Sequence, residues 1–208
     1  MPQLAGDASP GSFPGEPALV ELVERARAGE DAAFAALFEH YNVRIFRYLE
    51  RIVGSPEVGR DLTQDTFVAA WRGLPSLQDV GRFSPWLYRI ATNLARLHLR
   101  RARLIHWLPW GASEQPIAGV HLSLVDPEEQ IGQSEWVRLA LAEVTPKYRI
   151  CLLLQLEGGF SQREIAHLLD VTEKSISSYI SRGRQQFRLA YHRLEGESYS
   201  PTKGARIP

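Results

Sequence analysis

The chain has 208 residues, of which 44% are hydrophobic and 23% charged, as in an ordinary globular protein. Its 24 basic and 24 acidic residues cancel, so the overall charge indicates no polyanionic partner. The one cysteine, Cys151, excludes an internal disulfide and any metal site built from a cysteine cluster.

Both ends of the chain are rich in Pro, Gly and Ser, which predicts disordered tails over residues 1–16 and 196–208. The N-terminal stretch has no Lys or Arg and no apolar core, so it is not a signal peptide. The apolar run "ICLLLQL" is far shorter than the about 20 residues needed to span a bilayer. We therefore expect a cytoplasmic protein that does not insert into membranes.

Helical periodicity dominates the chain, and alternating strand-like runs are missing. Asp31 is the predicted N-cap of the second helix, and Ser55 followed by Pro56 starts the third. Gly54 ends the helix between them. These signals place the helices of the first half at about 17–28, 31–53, 56–73 and 84–106.

The fourth predicted helix, "SPWLYRIATNLARLHLRR", carries several arginines and no acidic residue to balance their charge. Residues 81–113 hold six arginines and no acid, whereas residues 104–137 hold five acids and no Lys or Arg. On a 3.6-residue period, one face is an apolar stripe and another a ridge of side chains that can donate hydrogen bonds. The stripe consists of Leu87, Ile90, Leu94 and Leu97, and the ridge of Arg89, Asn93, Arg96 and Arg100.

Residues 107–132 hold prolines and glycines without clear periodicity, which predicts a flexible acidic linker. Helical pattern resumes at about 133–144 and 146–156. The predicted fold class is therefore all-α, with two small helical domains over 17–106 and 133–195.

The second domain contains a helix-turn-helix pattern in "FSQREIAHLLDVTEKSISSYISRGRQQF". Ser161 and Glu164 form a capping box, Asp170 occupies the turn, and Thr172 caps the second helix. The outer face of that helix suits the major groove of DNA. A hairpin that only packs is the alternative. The predicted outer face consists of Glu173, Lys174, Ser175, Ser178, Tyr179, Arg182 and Arg184.

The chain resembles the extracytoplasmic-function sigma factors of bacterial RNA polymerase in two motif blocks that follow in the same order. The first block is "DLTQDTFVAAWRGL" with "FSPWLYRIATNLARLHLRR", and the second is "ALAEVTPKYRICLLLQLEGGFSQREIA". The resemblance covers about residues 17–195 and implies sigma domain 2, a linker and sigma domain 4. It implies core RNA polymerase and promoter DNA as partners, with no cofactor and no metal. A sequestering anti-sigma protein is common in the family, although no residue here identifies one.

The resemblance also implies site residues. The polymerase-docking segment corresponds to Asp61, Gln64, Asp65, Phe67 and Trp71. The part that opens the minus-ten element corresponds to Arg82, Phe83, Trp86, Arg89, Asn93, Arg96 and Arg100, with Asn93 on an extruded base. The aromatic residues at the helix start would stack on bases, or belong to the core. The outer face of the helix-turn-helix would read the minus-thirty-five element, and the acidic linker would enter a nucleic-acid channel or act as a tether.

Four positions depart from the family pattern. Leu97 stands where an acid is frequent, Ser177 and Tyr179 replace basic residues, and Gly183 replaces alanine at an expected cost of about 0.5–1 kcal/mol. A stand-alone helix-turn-helix regulator is the alternative function, but it leaves "DLTQDTF" unexplained. An enzyme is disfavoured because the six histidines show no metal-ligand spacing and no phosphate loop or nucleophile motif is present.

Overall fold

The computed structural model describes residues 16–101 and 133–198, and within these ranges the regular structure is helical. The predicted linker and most of both predicted tails lie outside the described residues. The helices are α1 (Glu16–Arg27), α2 (Asp31–Val53), α3 (Pro56–Gly73), α4 (Phe83–Arg101), α5 (Gln133–Glu143), α6 (Pro146–Leu156), α7 (Gln162–Leu169) and α8 (Glu173–Ser198).

The predicted helix boundaries of the first domain are confirmed at most positions. Ser55 accepts a hydrogen bond from the Val58 N–H at 3.3 Å, and Gly54 is left-handed with φ of 76°. The predicted cap at Asp31 is wrong, because Glu30 is the N-cap and Asp31 is the first helical residue. The Glu30 carboxylate pairs with Arg25 rather than with the backbone of α2.

Helices α1–α4 form the first domain, in which α2 is the central element. Its Tyr48 is fully buried and hydrogen-bonds to Thr92 of α4 at 2.6 Å. This buried polar pair satisfies both hydroxyl groups, since Thr92 also donates to the Tyr88 carbonyl. The bond therefore determines which side of α4 faces α2.

The core stripe of α4 differs from the predicted one. Of the four predicted residues only Leu87 is fully buried; Ile90 and Leu94 are partly buried against the core, and Leu97 is partly exposed. The small residues Ala91 and Ala95 face the core instead, because the Tyr48–Thr92 bond turns that side of α4 inward. The buried residues of α4 are Phe83, Leu87, Tyr88, Ala91, Thr92, Ala95 and Leu99.

Helices α5–α8 form the second domain and contain the predicted helix-turn-helix. Both hydrogen bonds of the Ser161–Glu164 capping box are present. Asp170 occupies the turn with φ of 57°, and Thr172 accepts a hydrogen bond from the Ser175 N–H at 3.2 Å. Helix α8 continues to Ser198, three residues into the predicted C-terminal tail, which corrects that boundary.

The two domains pack against each other, with α6 against α2 and α7 against α4. The buried cores of the two domains are continuous, and the Tyr88 and Phe160 rings meet edge to face at 5.1 Å. Arg149 of α6 donates to the Ile52 carbonyl of α2 at 2.8 Å. None of the helices in residues 16–101 and 133–198 is both long and apolar enough to cross a bilayer.

Replacing Gly59 with alanine should destabilise the first domain, because α2 and α3 cross there. A Cβ at this position would lie 2.9 Å from the Glu50 Cα, an atom of the α2 backbone. We expect a loss of about 1–3 kcal/mol from overpacking, which exceeds the about 1 kcal/mol gained from helix propensity. Urea unfolding of Gly59→Ala beside the exposed Arg60→Ala checks this; a more stable Gly59→Ala protein would contradict the close crossing.

Candidate functional site

An open apolar groove of about 1100 Å³ lies between α2 and α3. Its aromatic side chains contact one another: Phe34 and Trp71 have ring centroids 4.7 Å apart, and so do Phe38 and Phe67. Phe38, Val43, Val68 and Trp71 remain 39–53% exposed. Large apolar side chains exposed side by side on helices mark a surface that contacts another molecule.

The predicted polymerase-docking residues divide between this groove and its rim. Gln64 and Trp71 line the groove, while Phe67 lines it but is only 4% exposed and also belongs to the core. Asp61 and Asp65 are exposed and lie one turn apart on α3, on the stripe next to Val68. The groove therefore has an apolar floor with Arg60 and Arg72 in its lining, and the exposed Asp61 and Asp65 lie next to it on α3.

Sequence reasoning missed the half of the groove that α2 contributes. The stripe of apolar residues along α2 predicts that Phe34 and Phe38 belong to the core, although both line the groove. The available signal was the number of large apolar residues on α2, which exceeds what one buried face holds. The α2 residues that line the groove are Phe34, Phe38, Asn42, Val43 and Phe46.

The ridge predicted on α4 is present at the surface. Arg89, Asn93 and Arg100 are exposed, and Arg96 is half-buried. Burial and the neighbouring Arg100 lower the pKa of Arg96. The ridge thus combines clustered positive charge with one amide that can both donate and accept.

The two predicted stacking aromatics at the start of α4 do not both face solvent. Phe83 is 2% exposed and packs against Tyr41 at 5.5 Å, so its ring is not available to a base in this conformation. Trp86 is partly exposed and covers Gly73, where a Cβ would lie 3.1 Å from the indole. Exposed Arg82 pairs with Asp79 at 3.5 Å.

Helix α2 adds a basic residue to this surface that sequence reasoning missed. The exposed Arg44 lies close enough to Tyr41 and Tyr88 to oppose the rise in their pKa values that burial causes. It is distant from the ridge in sequence, so only the packing of α2 on α4 brings it there.

The outer face of α8 differs from the prediction in two residues. Glu173, Lys174 and Ser178 are exposed as predicted. Tyr179 instead packs on Tyr148 of α6 with ring centroids 5.6 Å apart, and Ser175 hydrogen-bonds to Thr172. The amphipathic tyrosine turns inward because α6 offers it an aromatic partner.

The two predicted arginines of α8 are exposed, but both donate hydrogen bonds to α6. Arg182 donates to the Tyr148 hydroxyl at 3.1 Å, and Arg184 donates to the Gln155 side chain at 2.8 Å. These bonds hold both arginines against α6, beside the outer face of α8.

A polar groove of about 570 Å³ runs between α8 and the start of α7 and was not predicted. Its α8 residues recur every three to four positions, a spacing that could have identified them. The lining residues are Gln162, Ser177, Ile180, Ser181, Arg184, Gln185, Arg188 and Leu189. Serine, glutamine and arginine side chains without a carboxylate suit both phosphates and base edges.

Gly183 lies at the crossing of α8 and α6, so the predicted cost of lacking alanine does not apply. A Cβ there would lie 2.9 Å from Leu152 Cδ1 and 3.2 Å from Tyr148 Cβ, and both of these side chains are buried. The glycine permits the close approach that lets Tyr179 and Arg182 reach Tyr148.

We expect Gly183→Ala to lower the free energy of unfolding by about 1–3 kcal/mol through overpacking. The exposed neighbour Ser181→Ala should change it by less than about 0.5 kcal/mol. Thermal unfolding of the two variants provides the measurement. If Gly183→Ala instead raised the melting temperature, helix propensity would dominate and the crossing would be looser than described.

Each of the two domains matches a known protein family. Residues 37–105 match the family described as Sigma-70 region 2, and residues 134–187 match Sigma-70, region 4. RNA polymerase sigma factor NccH of Alcaligenes xylosoxydans xylosoxydans is 31% identical over 78% of this chain and 89% of its own length. The ECF RNA polymerase sigma-E factor of Haemophilus influenzae is 30% identical over 79% of this chain and 90% of its own.

Solved structures show the same fold. The chain is similar to CnrH in complex with the cytosolic domain of CnrY, with a TM-score of 0.58 and 25% identity over 88% of this chain and 99% of that one. It also shares its fold with the sigma factor RpoE in complex with the anti-sigma factor NepR from Bartonella quintana. That match has a TM-score of 0.60 and 19% identity over 76% of this chain and 96% of the other.

Proposed function

This chain belongs to the extracytoplasmic-function sigma factors of bacterial RNA polymerase, promoter-specificity subunits that initiate transcription, and we propose that three separate surfaces divide its work. The groove between α2 and α3 docks on core polymerase, the α4 ridge opens the minus-ten element, and the outer face of α8 reads the minus-thirty-five element. It works in the cytoplasm as a binding subunit rather than as an enzyme.

The exposed aromatic floor of the α2–α3 groove is the observation that carries the docking proposal. Protein interfaces place aromatic anchors at their centre and polar residues at their rim. Trp71, Phe38 and Val68 supply the centre. The charged rim combines Arg60 and Arg72 of the lining with the exposed Asp61 and Asp65. Phe67 supports the groove from the core rather than acting as a free anchor.

The α4 ridge supports promoter opening because its charges can hold a separated strand. Arg89 and Arg100 neutralise phosphates, while the exposed Asn93 amide hydrogen-bonds to the edge of an extruded base. Phe83 keeps the start of α4 in place through its contact with Tyr41, which leaves Trp86 as the candidate stacking residue.

The helix-turn-helix supports recognition of the minus-thirty-five element through a revised set of residues. Lys174 and Ser178 near the start of α8 face solvent, where base edges are read. Ser177, Ser181 and Arg188 line the neighbouring polar groove. We assign the two serines to the same DNA-facing surface and Arg188 to the DNA phosphates. We assign Tyr179 to positioning α8, because it packs on Tyr148 instead of facing outward.

An anti-sigma protein is a proposed third partner. CnrH, which this chain resembles over 88% of its length, was solved with the cytosolic domain of CnrY. The exposed α2–α3 groove is the apolar surface best suited to such a partner, because occupying it would also block polymerase docking.

Competition for core polymerase tests the proposed function. Purified protein should bind bacterial core RNA polymerase and be displaced by a principal sigma factor, since both use one docking surface. Tight binding to duplex DNA without any binding to core polymerase would favour a stand-alone regulator.

Placing an arginine in the groove should weaken polymerase binding. Val68 is 42% exposed and lines the groove, so Val68→Arg buries a charge in the interface while the fold tolerates it. We expect at least about a tenfold rise in Kd for core polymerase, the effect of losing about 1.4 kcal/mol. The matched control is Ala28→Arg, which adds the same charge at an exposed position outside the groove; equal effects of both variants would remove the groove from docking.

The ridge arginines and Asn93 should affect opening in different ways. Arg89→Ala with Arg100→Ala should reduce the salt dependence of promoter binding by up to about two units of slope, through fewer released counterions. Asn93→Ala should lower open-complex formation and leave that slope unchanged, because no charge is lost. Salt titrations and permanganate footprinting measure the two effects; loss of polymerase binding by Asn93→Ala would show a structural role instead.

A further inference from the structure

The first half of α8 carries little positive charge of its own. Glu173 and Lys174 open the helix with opposite charges, and residues 175–181 are all uncharged. A helix in the major groove runs between two phosphate backbones, and neutralising phosphates supplies much of the affinity for DNA. A further cation beside this part of α8 therefore has to come from another element of the second domain.

Lys147, the second residue of α6, lies beside this part of α8. Its Nζ is 5.2 Å from the centroid of the Tyr179 ring and 5.1 Å from the centroid of the Tyr148 ring. The two rings belong to α8 and α6 and have centroids 5.6 Å apart. A cation within about 6 Å of an aromatic face is attracted by the negative charge of that face. The ring pair therefore holds the Lys147 ammonium against the flank of α8 that carries Tyr179.

The position of Lys147 is not explained by its own helix or by an ion pair. The N-terminus of a helix carries partial positive charge, so the start of α6 does not favour a cation. Within residues 16–101 and 133–198, none of the ion pairs includes Lys147. Its side chain is partly exposed, so the stem can lie on the rings while the ammonium meets solvent. In the described part of the chain, this charge is therefore available to a ligand.

A second cation lies on the same flank of α8. Arg182 is three residues beyond Tyr179 and donates to the Tyr148 hydroxyl at 3.1 Å. The buried Tyr148 thus positions one cation over its ring and another at its hydroxyl group. Gly183 permits this arrangement, because a Cβ there would lie 3.2 Å from the Tyr148 Cβ. Two cations on one flank of a groove-binding helix suit the phosphates of the adjacent DNA strand.

We propose that Lys147 binds a phosphate of the DNA strand beside α8, so that α6 supplies a positive charge that residues 175–181 lack. The proposal rests on the proposed function, because it adds a residue to the surface that reads the minus-thirty-five element. The packing that turns Tyr179 inward also creates the seat for the ammonium. A lysine ammonium is a compact point charge that binds phosphate without reading a base. Lys147 therefore contributes affinity for DNA and no sequence preference.

Removing the charge of Lys147 while keeping the length of its side chain tests the proposal. Lys147→Met leaves an unbranched chain on the two rings and removes the ammonium. For the full chain bound to core polymerase, the salt slope of promoter binding should fall by about one unit, and Kd at about 0.1 M salt should rise about three- to tenfold. Lys147→Arg should keep the slope. The matched control is Arg193→Met, which removes an exposed cation that pairs with Glu143 and should leave the slope unchanged.

The probe is a labelled duplex with a promoter selected from random-sequence DNA by the wild-type complex with core polymerase. An unchanged slope for Lys147→Met would overturn the proposal even if Kd rose, because a structural role lowers affinity without changing the number of released counterions. Equal falls in slope for Lys147→Met and Arg193→Met would also overturn it. Failure of the wild-type chain to bind core polymerase would count against the proposed function. The slopes measured for the chain alone on a mixed-sequence duplex would then decide the role of Lys147.

Discussion

One arginine joins the two domains of this sigma factor. The fully enclosed Arg149 is costly to bury, and burial lowers its pKa to about 10, yet it remains charged at neutral pH. Among the described residues its hydrogen bonds all end on backbone carbonyls, at the C-termini of α2 and α5. Helix ends thus provide the countercharge that a carboxylate would otherwise supply. Because Arg149 binds α2, the α6–α7 corner comes to lie against α4.

The helices of the first domain serve the core and the surface at once. Tyr48 of α2 fixes α4 through Thr92, while Phe38 on the other side of α2 lines the groove between α2 and α3. The same division holds on α4, where Ala91 and Ala95 pack inward and Arg89 and Asn93 remain outside. The core therefore holds the α2–α3 groove and the α4 ridge on shared helices, so that core packing fixes their relative orientation.

Much of the candidate site followed from local sequence, because its chemistry depends on helical spacing. The capping box at Ser161, the left-handed Asp170 and the ridge at Arg89 and Asn93 are all set by residues within two turns of one another. The wrong expectations involve distant partners. Phe83 is buried by Tyr41, Tyr179 is turned inward by Tyr148, and Gly183 is required by Leu152. None of these partners lies within the local pattern of the residue concerned.

The sequence by itself determined an all-helical chain, its helix-turn-helix and a basic ridge, since caps, periodicity and charge act over a few residues. Two motif blocks also determined the family. Only the tertiary structure decided which apolar residues stay exposed, as with Phe38 and Trp71, because burial depends on what packs opposite. It alone also decided that Arg149 reaches Ile52, 97 residues away in the chain, since a hydrogen bond across domains leaves no periodicity to read.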